Sequence, residues 1–389
     1  MYKNYFKVAL RLLRKKKVYS FINIAGLATG MTCCLLILLW VQDELSYDRF
    51  HEKAGEICRL AQIEKRNSGE ANYPLVFPVM APQLRDEYPE VLNFVRFDRS
   101  QRVLVSTLEK KFIEERFFHA DPSVFEMFNF PLASGDPKRV LQAPYSLVLT
   151  EETAEKYFGK ENPVGKTLIV DNSKDYMITG VLKNVAHNSH LKFDFLASLS
   201  TLEAENPRYG KLWAWSCYTY LLLPKGYQPQ ELEKKFPDFV LRHRNPEAAK
   251  IWRFYLQPLT KIHLHSNLAY EIEPNGDIRY IYIFSAVALF IMLIACINFM
   301  NLVTARSANR AKEVGVRKVL GADRFQLAKQ FLAESVLLSV IALPISVILV
   351  DLLLPAFNAL SAKDIGLSYF AQSAVFLGAI GLLVFVGII

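Results

Sequence analysis

The sequence predicts an α-helical transmembrane bundle of four spans, the last truncated, with an α+β extracytoplasmic domain inserted between spans 1 and 2. Three observations carry that prediction. The 389 residues are 52% hydrophobic with a mean hydropathy of +0.15, yet 22% are charged. Those figures agree only if apolar and polar stretches are segregated along the chain. They are: long uncharged runs alternate with polar segments, and one polar segment is large enough to bury a core of its own. The basic residues also gather beside the apolar runs, as topology signals do. That clustering argues against reading the net charge of +8 as a nucleic-acid footprint.

Residues 1–17 carry Lys3, Lys7, Arg11, Arg14, Lys15, Lys16 and Lys17 and no acid. Phe6, Leu10 and Leu13 recur at helical spacing, which predicts a basic amphipathic helix on the cytoplasmic leaflet, in contact with membrane lipids. Residues 18–42 contain no charge and exceed the roughly 20 residues a spanning helix needs. They form the first span, and Gly26-x-x-x-Gly30 within it allows close packing of another helix.

Residues 43–279 are the inserted domain. All seven histidines lie there, and Tyr176 to Leu182 alternates as a strand does. Leu75 to Tyr88 is predicted helical, broken by Pro78 and Pro82. Thr150 to Gly159 reads as a complete helix, with Thr150 as N-cap, Thr153 at the capping-box position, acids in the first turn and a closing Gly159. Residues 280–305 are the second uncharged span, and residues 306–324 a short basic segment whose helix is expected to end at Gly321. Residues 325–356 form the third span, interrupted near its start by Lys329 and Glu334. Glu334 either faces the bundle interior or sits solvated at headgroup depth. Residues 365–389 are the fourth, and a chain that stops inside a span reads as part of a longer protein.

Charge sets the topology. The amino-terminal segment and the segment holding Arg306, Arg310, Lys312, Arg317, Lys318, Arg324 and Lys329 both belong inside, with two spans between them. Residues 43–279 are then outside. If that compartment is oxidising, Cys58 and Cys217 are the two cysteines of the domain able to pair; Cys33, Cys34 and Cys296 lie in apolar runs.

Gly159-Lys160-Glu161-Asn162-Pro163-Val164-Gly165-Lys166-Thr167 imitates a phosphate loop. It has one residue too many between its glycines, and a helix precedes it where a strand should. It reads as a turn. His263-Leu264-His265 on an extended segment places two imidazoles on one face, and His187 and His190 form a second pair, but a metal site needs three or four ligands. No nucleophile and base can be singled out, so neither catalysis, a metal nor a cofactor is expected.

Arg310-Ala311-Lys312-Glu313-Val314-Gly315-Val316-Arg317-Lys318-Val319-Leu320-Gly321-Ala322 closely resembles the cytoplasmic motif of FtsX/MacB-type ABC transporter permeases. In that motif an Arg/Lys-Glu-(Ile/Val)-Gly-(Ile/Val)-Arg-(Lys/Arg) core leads to Leu-Gly-Ala. Tyr47-Asp48-Arg49-Phe50-His51, Tyr88-Pro89-Glu90-Val91, and Tyr157-Phe158-Gly159 with Asn162-Pro163-Val164-Gly165-Lys166-Thr167 are similar to stretches of the MacB-like periplasmic core domain. The resemblance implies an inner-membrane subunit, a dimer or pseudo-dimer of permease units, served by a separate ABC ATPase. That ATPase would grip Arg310, Lys312, Glu313, Val314, Gly315, Val316, Arg317, Lys318 and Gly321. A periplasmic adaptor or a cell-wall hydrolase is the implied outer partner, for export or for mechanotransmission respectively. The alternative is a membrane receptor with an extracytoplasmic sensor domain and no ATPase.

Overall fold

The computed structural model describes residues 17–319 and 324–366 with positions 378 and 381, and side chains at all of these except 17, 303 and 305–334. Residues 1–16 of the basic helix predicted at 1–17, Gly321 and nearly all of the fourth apolar run lie outside the described residues. Two compact units emerge, one from residues 1–45 with 278–389 and the other from Ser46–Asp277.

The inserted domain, Ser46–Asp277, is a mixed α+β fold. After the first helix α1 (Lys17–Ser46) come β1 (Ile57–Arg66), β2 (Gly69–Tyr73), β3 (Leu75–Val76), α2 (Met80–Glu87), β4 (Asn93–Ser100), β5 (Val103–Ser106), β6 (Lys111–Glu114) and β7 (Phe117–Ala120). Then follow α3 (Val124–Met127), β8 (Leu132–Ser134), β9 (Ser146–Thr150), α4 (Glu151–Phe158), β10 (Thr167–Val170), β11 (Lys174–Leu182), β12 (Phe195–Ser198), α5 (Ser200–Glu205) and β13 (Cys217–Leu222). The domain closes with α6 (Pro229–Glu233), α7 (Phe236–His243), α8 (Pro246–Ile251), β14 (Trp252–Pro258) and α9 (Ile262–His265). Among the described residues the strands join in the order β14-β1-β13-β4-β7-β12-β9-β11-β10-β5-β6, with β2, β3 and β8 attached to β1, β13 and β11. Among the described residues only β9 with β11 and β7 with β12 pair in parallel. The first of these pairs is joined through α4, the crossover a parallel pair needs.

Three apolar clusters fill the domain. Leu60, Leu84, Leu221, Phe236, Phe239 and Phe254 pack the β1–β13 end against α2 and α6–α8. Leu147, Leu149, Leu168, Ile178 and Phe195 pack the β9–β11 end beneath α4. Val95, Phe97, Phe118, Phe128 and Tyr220 fill the middle. Local signals explain α4: Thr150 is extended at φ −69°, ψ 158°, its hydroxyl accepts from the Thr153 N–H, and Gly159 ends the helix at φ 62°. The proline-broken stretch resolves into the short β3 and then α2, which begins only beyond Pro78.

One expectation fails here, and the open question of a Cys58–Cys217 pair is answered. His263 and His265 lie on a helical turn, α9, so the two rings do not share a strand face. Cys58 and Cys217 are both buried and both free. They sit on adjacent antiparallel strands, but Cys58 pairs with Leu221, four residues along the strand from Cys217. That offset is about 13 Å at a strand's rise per residue, beyond the reach of a disulfide.

The other unit contains α1, α10 (Ile278–Val319) and α11 (Arg324–Ser361). Among the described residues three helical segments are long and apolar enough to cross a membrane: Val18–Ser46, Ile278–Leu302 and Ser335–Ser361. The first helix runs past Gln42 through two acids, because Asp43 and Glu44 are buried against Lys363, whose Nζ lies 3.0 Å and 2.7 Å from their carboxylates. Beyond α11, Ala362 is left-handed at φ 52° and the Lys363 N–H turns back to the Asn358 carbonyl at 3.2 Å. Pro344 and Pro355 lie inside α11 without ending it, as packed membrane helices allow.

Leu27, Ala28, Met31 and Cys34 of α1 interdigitate with Ala288, Met292, Cys296 and Phe299 of α10 and with Leu338 and Ala342 of α11. The glycine pair of α1 lies on this contact. A Cβ at Gly30 would stand 2.7 Å from the Ala295 Cβ, whereas one at Gly26 would meet only Asn298 Nδ2 at 3.4 Å. Gly30→Leu is therefore expected to force α1 and α10 apart at a cost of about 1–3 kcal/mol, lowering the melting temperature of the detergent-solubilised protein. Gly26→Ala should leave it nearly unchanged. Equal melting temperatures for wild type and Gly30→Leu would show that the two helices do not meet there.

Candidate functional site: the two roots of the inserted domain and the coupling helix

The chain leaves α1 at Ser46 and turns sharply. Asp48 occupies the left-handed region at φ 58°, which Asp tolerates better than most side chains. Its N–H bonds to the Asn188 carbonyl at 2.9 Å, and Asn188 Nδ2 returns to the Ser46 hydroxyl at 2.9 Å. The Asp48 carboxylate is wholly buried. Oδ1 accepts from the His190 backbone N–H at 3.1 Å and from the Ser189 hydroxyl at 3.3 Å. Oδ2 lies 2.9 Å from His190 Nδ1, and His190 Nε2 lies 2.7 Å from the Tyr220 hydroxyl on β13. Burial alone would raise the Asp48 pKa; the His190 ring and the hydrogen bonds from that residue outweigh it and hold the carboxyl below its usual range. Tyr47 stacks on His263, ring centroids 3.4 Å apart.

His51 closes this first root. Its Nδ1 accepts from the Asn129 N–H at 3.0 Å, and its ring sits among Phe50, Phe128 and Phe130. Burial pulls its pKa down to about 4, against a smaller opposing effect of Asp48. Burial likewise takes His119, beside the Tyr176 hydroxyl, down to about 3. Both rings fold neutral, whereas the unfolded chain protonates them near pH ~6.5. The unfolded state therefore binds more protons between about 6.5 and the folded values, and stability falls as pH drops through that window. We expect the denaturation midpoint of the protein to decline from about pH 6.5 towards 4, and His119→Phe to flatten the decline. A midpoint independent of pH across that range would contradict neutral burial of these rings.

The second root precedes α10. Arg59, on β1 and fully buried, places Nη1 2.6 Å and Nη2 2.8 Å from the two carboxylate oxygens of Glu271. Nη2 also donates to Gln257 Oε1 at 2.7 Å and Ser266 Oγ at 3.0 Å. Asn275 Nδ2 donates to the Ser266 carbonyl at 3.2 Å, and the Tyr218 hydroxyl to the Tyr270 carbonyl at 2.8 Å. Arg59 is the ladder partner of Tyr220. The residues that follow α1 and those that precede α10 are thus both fastened to one strand pair, β1 with β13.

Arg310, Lys312, Glu313, Val314, Gly315, Val316, Arg317 and Lys318 all lie on the backbone of α10, with side chains outside the described residues, as is the whole of Gly321. The sequence divides a span at 305 from a separate basic element. Instead one helix of 42 residues runs through both, from Ile278 to Val319. The residues between are mostly strong helix formers, with no proline, so nothing breaks it. Elsewhere, the phosphate-loop imitation is a turn in which Lys166 pairs with Glu161 and strand β10 follows. Among the described residues no three His, Cys, Asp or Glu side chains come together as metal ligands. Of the second histidine pair, His190 faces the Asp48 carboxylate and the Tyr220 hydroxyl.

Sequence reasoning missed Arg59, Glu271 and Tyr220, and singled out His190 only as a neighbour of His187, not as the partner of Asp48. The only signal at Arg59 is a cation inside an apolar strand, Ile57-Cys58-Arg59-Leu60-Ala61, which on its own reads as a solvent-facing position.

The family described as MacB-like periplasmic core domain matches residues 20–239, and the one described as FtsX-like permease C-terminal matches residues 285–389. The chain is 23% identical over 229 residues to the pyoverdine export ATP-binding/permease protein PvdT of Pseudomonas aeruginosa, covering 56% of this chain and 31% of that one. It is 24% identical over 234 residues to the macrolide export ATP-binding/permease protein MacB of Neisseria meningitidis, covering 56% and 32%. The chain thus spans about a third of the length of these curated relatives. Among solved structures, the periplasmic region of MacB from Actinobacillus actinomycetemcomitans aligns with 14% identity and a TM-score of 0.38, over 52% of this chain and 90% of that one. With one family model spanning more than half of its length and the other the remainder of its membrane part, the chain belongs to the FtsX/MacB family of ABC transporter permeases, multi-span membrane proteins with a periplasmic core domain.

Proposed function

We propose that the chain couples a cytoplasmic ABC ATPase, carried on a separate subunit, to movement of its periplasmic domain. The observation that supports this best is the continuity of α10. Forty-two residues of unbroken helix make a lever about 63 Å long at 1.5 Å per residue. It starts seven residues after Glu271 of the second root and carries the Arg310–Lys318 segment near its far end. On this reading residues 1–17 lie on the cytoplasmic leaflet, 18–42, 280–305, 325–356 and 365–389 are four spans, 306–324 is the cytoplasmic coupling segment, and 43–279 is periplasmic. The ATPase grips Glu313 to Lys318, and its closure tilts α10. The pull passes through Glu271 and Arg59 into the β1–β13 pair. A ligand such as ATP can drive this only by favouring one arrangement of the complex over another. Two permease units form the working assembly, as a dimer or a pseudo-dimer.

Affinity purification of the tagged full-length protein from native membranes, followed by mass spectrometry, tests the assignment. An ABC ATPase is expected among the captured proteins. A periplasmic adaptor beside it identifies export, and a cell-wall hydrolase identifies force transmission. Absence of any ATPase under mild detergent with crosslinking would contradict the coupling function.

A further inference from the structure

Beside the first root an open cavity of about 680 Å³ enters the inserted domain. That volume lies in the range of small-molecule sites. Its floor is aromatic and aliphatic: Phe50, Phe125, Phe128, Phe130 and Leu132 line it. Phe128 and Phe130 are stacked with centroids 5.7 Å apart, and both rings also meet His51.

The rim is one-signed. No acidic residue lines the cavity, and Lys183 does. Lys183 is exposed, and its side chain has no salt bridge or hydrogen bond among the described residues. Asn129 and Asn184 stand on the same rim. Each uses its amide oxygen locally, accepting from the Glu52 N–H at 2.7 Å and the Glu152 N–H at 3.0 Å respectively. That fixes the amide orientations and leaves both Nδ2 groups as donors without a partner among the described residues. The cavity therefore offers an apolar floor and three spare donors, one of them cationic. A ligand complementary to it has a flexible apolar body and a single anionic head. A cationic amphiphile would meet like charge, and a neutral one would leave the ammonium unused.

We propose that this cavity binds long-chain amphiphilic anions of the fatty-carboxylate class, with the chain against Phe125, Phe130 and Leu132 and the carboxylate at Lys183, Asn129 and Asn184. Because Phe128 and Phe130 also pack His51, and Asn188 on the cavity wall holds Ser46 and the Asp48 N–H, an occupant touches the first root directly. The assignment rests on the cavity alone and stands whether or not an ATPase partner is found.

The test is photolabelling of the full-length protein in phosphatidylcholine nanodiscs with a palmitate analogue carrying a mid-chain diazirine, followed by peptide mapping. Labelling is expected on the peptides spanning 125–137 and 183–188. Palmitate should compete it away, and hexadecyltrimethylammonium should not. Lys183→Glu removes an attraction and adds a repulsion, and should lower labelling at those peptides about tenfold, while Lys183→Arg retains it. Leu132→Trp, which fills the floor, should abolish it. Label confined to the membrane helices, equal competition by the cationic amphiphile, or undiminished labelling of Lys183→Glu would each overturn the proposal.

Discussion

Glu271→Leu is expected to destabilise the inserted domain by about 3–5 kcal/mol, the range found when one partner of a buried ion pair is removed. Arg59 is the reason. Its side chain is fully buried, and Glu271 supplies both carboxylate oxygens that neutralise it. Gln257 and Ser266 would remain as neutral partners, too weak to hold a charge away from water. Burial lowers the Arg59 pKa and the Glu271 bonds more than restore it, so the guanidinium stays charged while paired. Removing both charges is a different matter: Arg59→Met with Glu271→Leu should recover most of the loss, because two desolvation penalties vanish together. Denaturant unfolding of the wild type, both single variants and the double variant gives the coupling energy. A loss below about 1 kcal/mol in Glu271→Leu would mean the pair is solvated and that the second root is not fastened as described.

The second large effect concerns the coupling segment. Glu313→Ala combined with Arg317→Ala, or Gly315→Trp alone, is expected to abolish stimulation of the ATPase in reconstituted vesicles, while the protein still inserts and melts normally. Positions 313 and 317 are one helical turn apart on α10 and so share a face. Losing two charged contacts at an interface costs on the order of 2–5 kcal/mol, enough to empty a micromolar complex. Gly315 is suited to close approach by a partner backbone, and an indole there would block it. Unchanged stimulation in both variants would move the contact elsewhere.

How legible these features were differs by physical cause. Three of the four expected spans appear as long apolar helices, and they could be read because a charge-free run of adequate length is a local property. Helix α4 could be read because Thr150, Thr153 and Gly159 satisfy its ends locally. The Gly26–Gly30 pair was visible as a spacing, but only the approach of Ala295 distinguishes the glycine that matters. Helix α1 runs on beyond the charge-free run that ends at residue 42 because Lys363, which pairs with Asp43 and Glu44, lies far along the chain. The disulfide candidates were an inference from compartment, and strand register separates them. His263 and His265 were read as strand residues where a single helical turn follows β14. The root networks were invisible for a common reason: Asp48 meets His190 142 residues away, and Arg59 meets Glu271 212 residues away. Only the sheet order that sets β1 beside β13 brings them together. The basic segment was recognised by its motif, while its union with the second span follows from the lack of any helix breaker between 305 and 319.

Hydrogen–deuterium exchange at residues 46–51 and 262–277 tests the central claim most directly. The permease would be reconstituted with its ATPase and compared without nucleotide and with a non-hydrolysable ATP analogue. If α10 carries closure of the ATPase to the inserted domain, exchange at both roots changes with nucleotide, and Gly315→Trp removes the change. If both roots exchange identically in the two states while the complex hydrolyses ATP, the domain is not driven through them, and the coupling account is wrong.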